Sequence, residues 1–230
     1  MTIMYGVHSA PSRQTANRPY HMYSVKEIFF SLQGEGAQAG RAAIFCRFTG
    51  CNLWSGREQD RAKAVCDFCD TDFIGTNGQN GGQFTSADEL VQHLLAFWPE
   101  SDQPAYLIFT GGEPALQLDQ ALVDSCHQAG CLVAIETNGT RPLPNGIDWI
   151  CVSPKADTEL VISQGDELKL VYPQPLAPPE RFAVMTFAHF YLQPMDSPLR
   201  AMHTKEALDY CLQHPKWKLS LQQHKILHID

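Results

Sequence analysis

Short apolar segments alternate along this chain with amphipathic ones, and the pattern predicts strands that alternate with helices. Apolar positions three or four residues apart predict helices from Ser86 to Pro99, over 119–128 and over 204–214. Ser86 and Glu89 have the spacing of a capping box, Thr204 caps the last helix, and Gly130 and Pro215 follow helix ends. Runs rich in β-branched and aromatic residues predict strands over 25–30, 43–48, 106–110, 132–137, 149–153, 167–172 and 190–193.

Alternating strands and helices are typical of a parallel sheet covered by helices, an α/β fold. The chain has about six such β/α units, fewer than the eight of a closed barrel. We therefore expect an incomplete, splayed barrel of the (β/α)6 type. Thr110, Thr137, Ser153 and Gln193 would then lie along one rim, because parallel sheets bind ligands at the carboxyl ends of their strands.

The first residues differ from the rest of the chain. Residues 1–22 show no apolar periodicity, and we interpret them as a flexible tail in front of a single domain, residues 23–230. The stretch contains Arg13 and Arg18 and lacks acidic residues, as an organellar transit peptide does, but no amphipathic helix is visible in it.

Composition restricts the function classes. The chain has 230 residues, 44% of them hydrophobic, and a formal net charge of −8, which argues against a nucleic-acid-binding protein. No apolar stretch reaches the length of a membrane span or of a signal peptide's core, so we expect a cytoplasmic protein. In that compartment clustered cysteines more often bind metal or do chemistry than form disulfides.

Three of the eight cysteines have the spacing Cys51-x14-Cys66-x2-Cys69. Three thiolates can hold an iron–sulfur cluster with one iron left open, whereas Cys46 as a fourth ligand would complete a closed zinc site. Cys46 lies in a predicted strand on the apolar face, so we interpret it as a buried small hydrophobe, with Arg47 on the opposite face. The cysteine spacing alone does not distinguish an iron–sulfur cluster from a zinc site.

Two glycine motifs flank this region. In Thr110-Gly-Gly-Glu-Pro114 the glycines permit close approach of a ligand, and Glu113 can accept hydrogen bonds from a ligand ammonium group. Gly34-x-Gly36-x-x-Ala39 matches a relaxed dinucleotide fingerprint. That fingerprint needs a helix after it, and here a strand follows, so a turn with free backbone amides is favoured.

Several motifs in this order resemble those of radical S-adenosylmethionine enzymes and, among them, the 7-carboxy-7-deazaguanine synthase family. The resemblance runs from about Tyr23 to the C-terminus. The x14 interval departs from the x3 interval usual in the superfamily, but a subgroup of these synthases carries such an insertion. The motifs are the cysteine triad, Thr110-Gly-Gly-Glu-Pro114, Leu32-Gln-Gly-Glu-Gly36, Cys69-Asp-Thr71, Glu136-Thr-Asn-Gly139, Val152-Ser-Pro-Lys155 and Gln193-Pro-Met-Asp196.

The resemblance implies a radical S-adenosylmethionine barrel and a set of site residues. Cys51, Cys66 and Cys69 would ligate a [4Fe-4S] cluster whose fourth iron binds S-adenosylmethionine, and Thr71 would ligate Mg²⁺. The rest of the cofactor would contact Phe68, Asp70, Gly112, Glu113, Glu136, Asn138, Ser153, Pro154, Lys155, Gln193, Pro194, Met195 and Asp196. The substrate would contact Leu32, Gln33, Gly34, Arg47, Thr110 and Asp230.

The implied reaction is a ring contraction within queuosine and deazapurine biosynthesis. A 5′-deoxyadenosyl radical would take hydrogen from C6 of 6-carboxy-5,6,7,8-tetrahydropterin, and loss of ammonia would give 7-carboxy-7-deazaguanine. An electron donor such as a flavodoxin and a homodimer are also implied. The alternatives are a glycyl-radical activating enzyme, which acts on a protein, and a binding module rigidified by a four-cysteine zinc site. Arg47 and the Gln-Gly-Glu-Gly segment favour a small substrate.

Overall fold

The computed structural model describes residues 22–156 and 158–230, so the predicted N-terminal tail lies outside the described residues except for Met22. The helices are α1 (Ala87–Leu95), α2 (Gln120–Gln128), α3 (Pro179–Phe182), α4 (Arg200–Gln213) and α5 (Gln223–Leu227). The strands are β1 (Tyr23–Leu32), β2 (Ala42–Phe48), β3 (Gly82–Phe84), β4 (Tyr106–Gly111), β5 (Leu132–Thr137), β6 (Trp149–Val152), β7 (Gln164–Tyr172), β8 (Thr186–Pro194) and β9 (Trp217–Leu219).

The described strands form one open sheet in the order β3-β1-β2-β4-β5-β6-β7-β8-β9. The strands β2, β4, β5, β6, β7, β8 and β9 are neighbours in that order, and each pair is parallel, which confirms the open α/β barrel. The strand β9 adds to the six parallel strands that were predicted. At one edge the sheet is extended by antiparallel strands, because β1 pairs antiparallel with β2, and β3 pairs antiparallel with β1. The segment 33–41 that joins β1 to β2 is too short for a parallel crossover.

Helices cover the outer face of this sheet unevenly. The α1 and α2 helices pack against each other and, with β1, β2, β4 and β5, enclose the larger core, while α4 packs on β8 and β9. The segment 138–148 between β5 and β6 contains no helix, because Pro142 and Pro144 interrupt it. The described part of 153–163 is likewise non-helical.

The predicted N-terminal cap is confirmed for Ser86 and wrong for Thr204. Ser86 accepts a hydrogen bond from the Glu89 amide at the start of α1, and Asp119 caps α2 in the same way. Thr204 does not cap α4, which begins at Arg200. Its hydroxyl donates to the Arg200 carbonyl at 2.8 Å inside the helix, because a threonine within a helix can bond back to the preceding turn.

The two faces of β2 separate the core from the site. Ile44, Cys46 and Phe48 lie in the larger core, fully buried, while Arg47 lies on the concave face of the sheet. This arrangement agrees with the alternation expected of a strand. Within the described residues no helix has the length and apolar character needed to cross a bilayer.

Candidate active site

A cavity of about 460 Å³ lies on the concave face, at the carboxyl ends of the parallel strands. Thr110, Thr137, Ser153 and Gln193 all line it, so the rim expected from the strand ends is present. Each comes from a different strand or the residue after one, which is why residues distant in sequence meet there.

Most of the residues proposed for the site line this cavity, and three do not. Cys51, Glu113 and Pro154 are absent from its lining. Those that line it are Leu32, Gln33, Gly34, Arg47, Cys66, Phe68, Cys69, Asp70, Thr71, Thr110, Gly112, Glu136, Asn138, Ser153, Lys155, Gln193, Pro194, Met195, Asp196 and Asp230.

Two glycines at the end of β4, Gly111 and Gly112, allow the end of β2 and the residues after it to approach very closely. A Cβ on Gly112 would lie 2.2 Å from the Gly50 carbonyl oxygen and 2.7 Å from the Cys51 Cβ. Gly111 has φ +147°, and a Cβ there would lie 2.4 Å from the Phe48 carbonyl oxygen. The two glycines are therefore required for the contact between β4 and the turn that carries the first cysteine.

Glu113 does not line the cavity and its carboxylate is bonded to the protein's own donors, so the structure does not support the expectation that it accepts from a ligand ammonium group. The side chain is fully buried. It accepts hydrogen bonds from the Thr137 hydroxyl at 2.6 Å, the Asn138 amide at 2.7 Å and the Ala115 amide at 2.9 Å. Burial raises the pKa of Glu113, and these donors oppose the rise. The carboxylate thus joins the ends of β4 and β5.

The three cysteines of the triad lie close enough to influence one another. The Cys66 thiol donates a hydrogen bond to Cys69, which lowers the pKa of Cys69 to about 6 and raises that of Cys66. Main-chain N–H groups of Leu53 and Thr71 donate to the sulfurs of Cys51 and Cys69. Such donors stabilise thiolates, the form that binds iron.

The three cysteines can be compared with the requirements of a cluster and of a single zinc ion. Among the described residues no three histidine, cysteine or acidic side chains converge to hold one ion. Cys46 is fully buried in the larger core and so cannot complete a four-cysteine zinc site. In a cubane cluster the thiolates bind separate irons and need not converge on one point, so the triad fits a [4Fe-4S] group.

Lys155 supplies positive charge beside the triad. Its ammonium group acts to lower the pKa of both Cys66 and Cys69, and it lies 6.0 Å from the centroid of the Phe68 ring. It also donates to the Ser153 hydroxyl at 2.5 Å. A cation here favours the anionic thiolates and can attract an anionic ligand group.

Arg47 has an acidic partner that sequence reasoning missed. Its Nε donates to Glu27 Oε1 at 2.7 Å, and both side chains line the cavity. Period-two alternation in β1 places Glu27 and Phe29 on one face, and this signal could have identified Glu27. The contact engages the inner nitrogen, so the terminal nitrogens are those able to pair with a ligand carboxylate.

Lys169 on β7 forms a buried charge network in the site that was not predicted from the sequence. It is 3% exposed, and its ammonium group lies 2.7 Å from Glu35 and 2.9 Å from Glu136. Glu136 also accepts from the Gln33 amide at 2.7 Å. The alternation of Glu167 and Lys169 with leucines in β7 was a usable signal, because it places both on one strand face.

The charges of this network are mutually stabilised. Burial opposes the ionisation of Glu35, but Lys169 outweighs it and lowers the pKa of Glu35 to about 2. Burial likewise opposes the charge of Lys169, while Cys151, Glu136, Glu35 and Glu167 raise its pKa well above the usual value. The ammonium group of Lys169 and the carboxylate of Glu35 are therefore both charged at neutral pH.

The C-terminal segment covers one side of the cavity. The Gln223 amide donates to the Gly34 carbonyl at 2.9 Å, and the Ser31 hydroxyl donates to a main-chain oxygen of Asp230 at 2.7 Å. Lys225 pairs with Asp70 at 2.6 Å and Asp196 at 2.5 Å. The C-terminal segment forms the edge strand β9 and the short helix α5.

The dinucleotide reading of Gly34-x-Gly36-x-x-Ala39 receives no support from the fold. The segment is a loop with a 3-10 turn, Gly36–Gln38, between two antiparallel strands. A Cβ on Gly36, which has φ +64°, would lie 1.9 Å from the Glu167 carboxylate. That glycine therefore permits close packing of the loop on β7.

Comparisons with known proteins give a consistent assignment. The chain is 62% identical over 207 residues to the 7-carboxy-7-deazaguanine synthase of Bordetella pertussis, covering 90% of this chain and 99% of that protein. It is 60% identical over 205 residues to the synthase of Caulobacter vibrioides, covering 89% and 98%. No protein-family model matches the chain.

A solved structure agrees with these relatives in fold. The crystal structure of QueE from Escherichia coli superimposes with a TM-score of 0.67 at 26% identity, covering 88% of this chain and 95% of that one. The similarity extends over nearly the whole of both chains, well beyond the cysteine loop. The chain therefore belongs to the family of 7-carboxy-7-deazaguanine synthases, which are enzymes.

Proposed function

We propose that this enzyme converts 6-carboxy-5,6,7,8-tetrahydropterin to 7-carboxy-7-deazaguanine with release of ammonia, in queuosine and deazapurine biosynthesis. One observation carries the proposal: the same cavity contains Cys66 and Cys69 at its edge, Arg47, and the Lys169 network. A radical-generating centre would thus face a pocket whose charges suit a small, polar, carboxylate-bearing ring. A protein substrate and a zinc-stabilised binding module are not favoured by this arrangement.

The residues that would hold the cofactors surround the triad. Cys51, Cys66 and Cys69 would ligate the [4Fe-4S] cluster. When bound, the cluster and S-adenosylmethionine together supply a carbon-centred radical able to take a hydrogen atom from C6 of the substrate. Because the Glu113 carboxylate is buried, the main chain at Gly112 takes the place of that side chain in the proposed site. The other cofactor contacts would be Phe68, Asp70, Glu136, Asn138, Ser153 to Lys155, and Gln193 to Asp196.

The substrate side of the cavity combines charge with an aromatic wall. The Phe29 and Phe45 rings stack at 4.9 Å between centroids and line the cavity. They can pack on a flat heterocycle, while Arg47 pairs with its carboxylate and the acids beside Lys169 accept from ring N–H groups. A reactive radical abstracts hydrogen unselectively, so such contacts must hold the target carbon in place.

Thr71 is proposed as a Mg²⁺ ligand near the substrate carboxylate. It lies two residues after Cys69 and lines the cavity. A hydroxyl with several waters and a substrate oxygen can form a hard-oxygen site for Mg²⁺. Equal rates with Mg²⁺ and in chelator-treated buffer would remove the metal from the proposal.

The direct test is an anaerobic assay of the reconstituted protein. We expect product from 6-carboxytetrahydropterin in the presence of S-adenosylmethionine and a reductant, measured by mass spectrometry. S-adenosylmethionine should be unconsumed at the end of each turnover. An iron-replete protein that cleaves the cofactor but leaves this pterin unchanged would contradict the proposed substrate.

We predict that Arg47→Ala lowers kcat/KM far more than it lowers iron content. Loss of a charge-assisted hydrogen bond to the substrate carboxylate should cost roughly 1.5–3 kcal/mol, about 10–150-fold in kcat/KM. Steady-state kinetics on iron-replete enzyme measure this. Arg41→Ala is the matched control, because Arg41 stacks on Tyr106 at 3.7 Å and does not line this cavity. Wild-type kinetics in Arg47→Ala would refute the role.

We predict that deleting Ile229 and Asp230 raises KM for the pterin. The terminal carboxylate would be lost from the cavity wall, and the Ser31 contact with Asp230 would go with it. Iron content and uncoupled cofactor cleavage should remain. Asp230→Asn keeps the terminal carboxylate and should resemble wild type in KM. Unchanged KM and kcat in the truncated enzyme would show that the tail only packs.

Three further proposals rest on the family relationship. The enzyme would take electrons from a donor such as a flavodoxin, act as a homodimer and work in the cytoplasm. Anaerobic reduction of the cluster by reduced flavodoxin and sedimentation of the purified protein test the first two. A monomer at all concentrations would contradict the dimer.

A further inference from the structure

We infer that Arg61, within the long interval between the first two cysteines, is a positioning residue that holds the Cys66–Cys69 turn in its ligating shape. The inference rests on the cluster assigned above to the three cysteines. It gives the insertion a role of its own in this chain, as an internal brace for the turn that follows it.

The guanidinium group of Arg61 bonds directly to the main chain of the turn. One terminal nitrogen donates to the Asp67 carbonyl at 2.8 Å and to the Cys69 carbonyl at 3.0 Å. These carbonyls belong to the residue after one cysteine and to another cysteine itself. A planar, permanently charged donor that reaches two carbonyls fixes the turn's backbone more firmly than a single neutral bond.

Arg61 is itself held in place on two sides. Its guanidinium lies over the Trp54 ring at 4.2 Å, and its Nε donates to Glu58 at 2.8 and 2.9 Å. The pair with Glu58 is exposed and stabilises the protein little. Its structural effect is to orient the guanidinium, so that the terminal nitrogen faces the turn.

Trp54 connects this brace to the first cysteine. The Trp54 main-chain N–H donates to the Cys51 sulfur. Trp54 is 8% exposed and its ring packs edge-on against Phe73 at 5.6 Å, and the Phe73 carbonyl accepts from the Gly50 amide at 3.3 Å. Cys51 and the turn that carries the other two cysteines are therefore tied through one stacked pair.

A physical reason for the brace follows from the length of the interval. Closing a longer loop costs more conformational entropy. Without the brace, the loop would have to be ordered when the cluster binds, and the affinity for the cluster would be lower. Groups that orient metal ligands typically change metal affinity by about 10–100-fold when removed. Arg61 would order the ligands before the cluster is inserted.

The test compares Arg61→Ala with Arg57→Ala, an exposed arginine of the same segment that serves as the charge-matched control. In reconstituted protein, transfer of iron to a chelator is followed by visible absorbance. In apo-protein, alkylation of each cysteine by iodoacetamide is followed by mass spectrometry. Cys46, buried in the larger core, reports global unfolding in the same sample.

We expect Arg61→Ala to lose its cluster about tenfold faster or more, and Cys66 and Cys69 in its apo-protein to be alkylated faster with Cys46 still protected. Arg57→Ala should match wild type. Arg61→Lys keeps the charge but lacks the planar fork, so it should lose its cluster faster than wild type. If Cys46 is also alkylated in Arg61→Ala, that variant is unfolded, and the comparison of Arg61→Lys with wild type then tests the inference.

Two results would overturn the inference. One is that Arg61→Ala loses its cluster and is alkylated at the same rates as wild type. If the alanine variant unfolds, the same result in Arg61→Lys would overturn the inference. The other is an equal change in Arg57→Ala, which would indicate a general charge effect. Failure of the proposed function is distinguishable, because wild-type protein would then bind no cluster or leave the pterin unchanged, whereas the alkylation pattern of the apo-protein would still report on the brace.

Discussion

Cys66→Ala is expected to abolish the iron–sulfur cluster and all product formation. Wild-type protein reconstituted without oxygen should hold about four irons per chain through three thiolates. Cys66 is 5% exposed and lies at the cavity edge, hydrogen-bonded to Cys69. Removal of its sulfur leaves two thiolates, and the methyl group of alanine offers no replacement ligand. Iron and sulfide analysis, with the visible spectrum, measures the loss.

Cys46→Ala is the matched control for this experiment. Cys46 is a cysteine of the same region, fully buried on the core side of β2. Its replacement should cost about 1 kcal/mol in the free energy of unfolding, through a small cavity, and leave iron content unchanged. A full cluster in Cys66→Ala, or its loss in Cys46→Ala, would show that the ligands are assigned wrongly.

Lys169→Met is expected to lower the free energy of unfolding by roughly 3–5 kcal/mol, a large part of the 5–15 kcal/mol of a typical domain. The substitution removes the cation between Glu35 and Glu136 and leaves two carboxylates facing each other in a buried site. Urea unfolding of the apo-protein measures the change. Lys205→Met, on the exposed side of α4, should stay within about 0.5 kcal/mol of wild type.

The pH dependence of the variant gives a second check. Without Lys169 the strongest influence that lowers the pKa of Glu35 is lost. His224 and Gln222 still act to lower it, and we expect burial, which raises it, to outweigh them. The folded variant then binds more protons than its unfolded chain, so its stability rises as the pH falls from neutral toward the usual carboxyl pKa. Wild type does the opposite, because its depressed Glu35 pKa makes this stabilisation disappear as the pH falls from about 4.5 to about 2.

Adding Glu35→Gln and Glu136→Gln to Lys169→Met provides the rescue. Neutral amides remove the repulsion that the missing cation leaves behind, so most of the lost stability should return. If Lys169→Met alone were as stable as wild type at neutral pH, the buried ion network would not contribute to folding. No rescue in the triple variant would mean that Lys169 acts by packing alone.

The sequence by itself determined those features that depend on neighbouring residues. Strand and helix periods placed β1, β2 and β4 to β8 and the helices α1 and α2, because the period of burial is written in consecutive positions. The strand ends could be assigned to one rim, since parallel strands share the direction of their carboxyl ends. The burial of Cys46 and the opposite orientation of Arg47 likewise followed from alternation within one strand.

Only the tertiary structure decided which polar groups meet. Glu113 looks like a ligand-facing residue in sequence, but its carboxylate joins β4 to β5, because two of its three donors come from residues 24 and 25 positions away. Lys169, Glu35 and Glu136 lie on three separate segments, so no local pattern announces their contact. The same holds for Lys225, which reaches Asp70 across the cavity. Charge pairing depends on distance in space, and a chain's local periodicity does not encode distances between segments far apart along it.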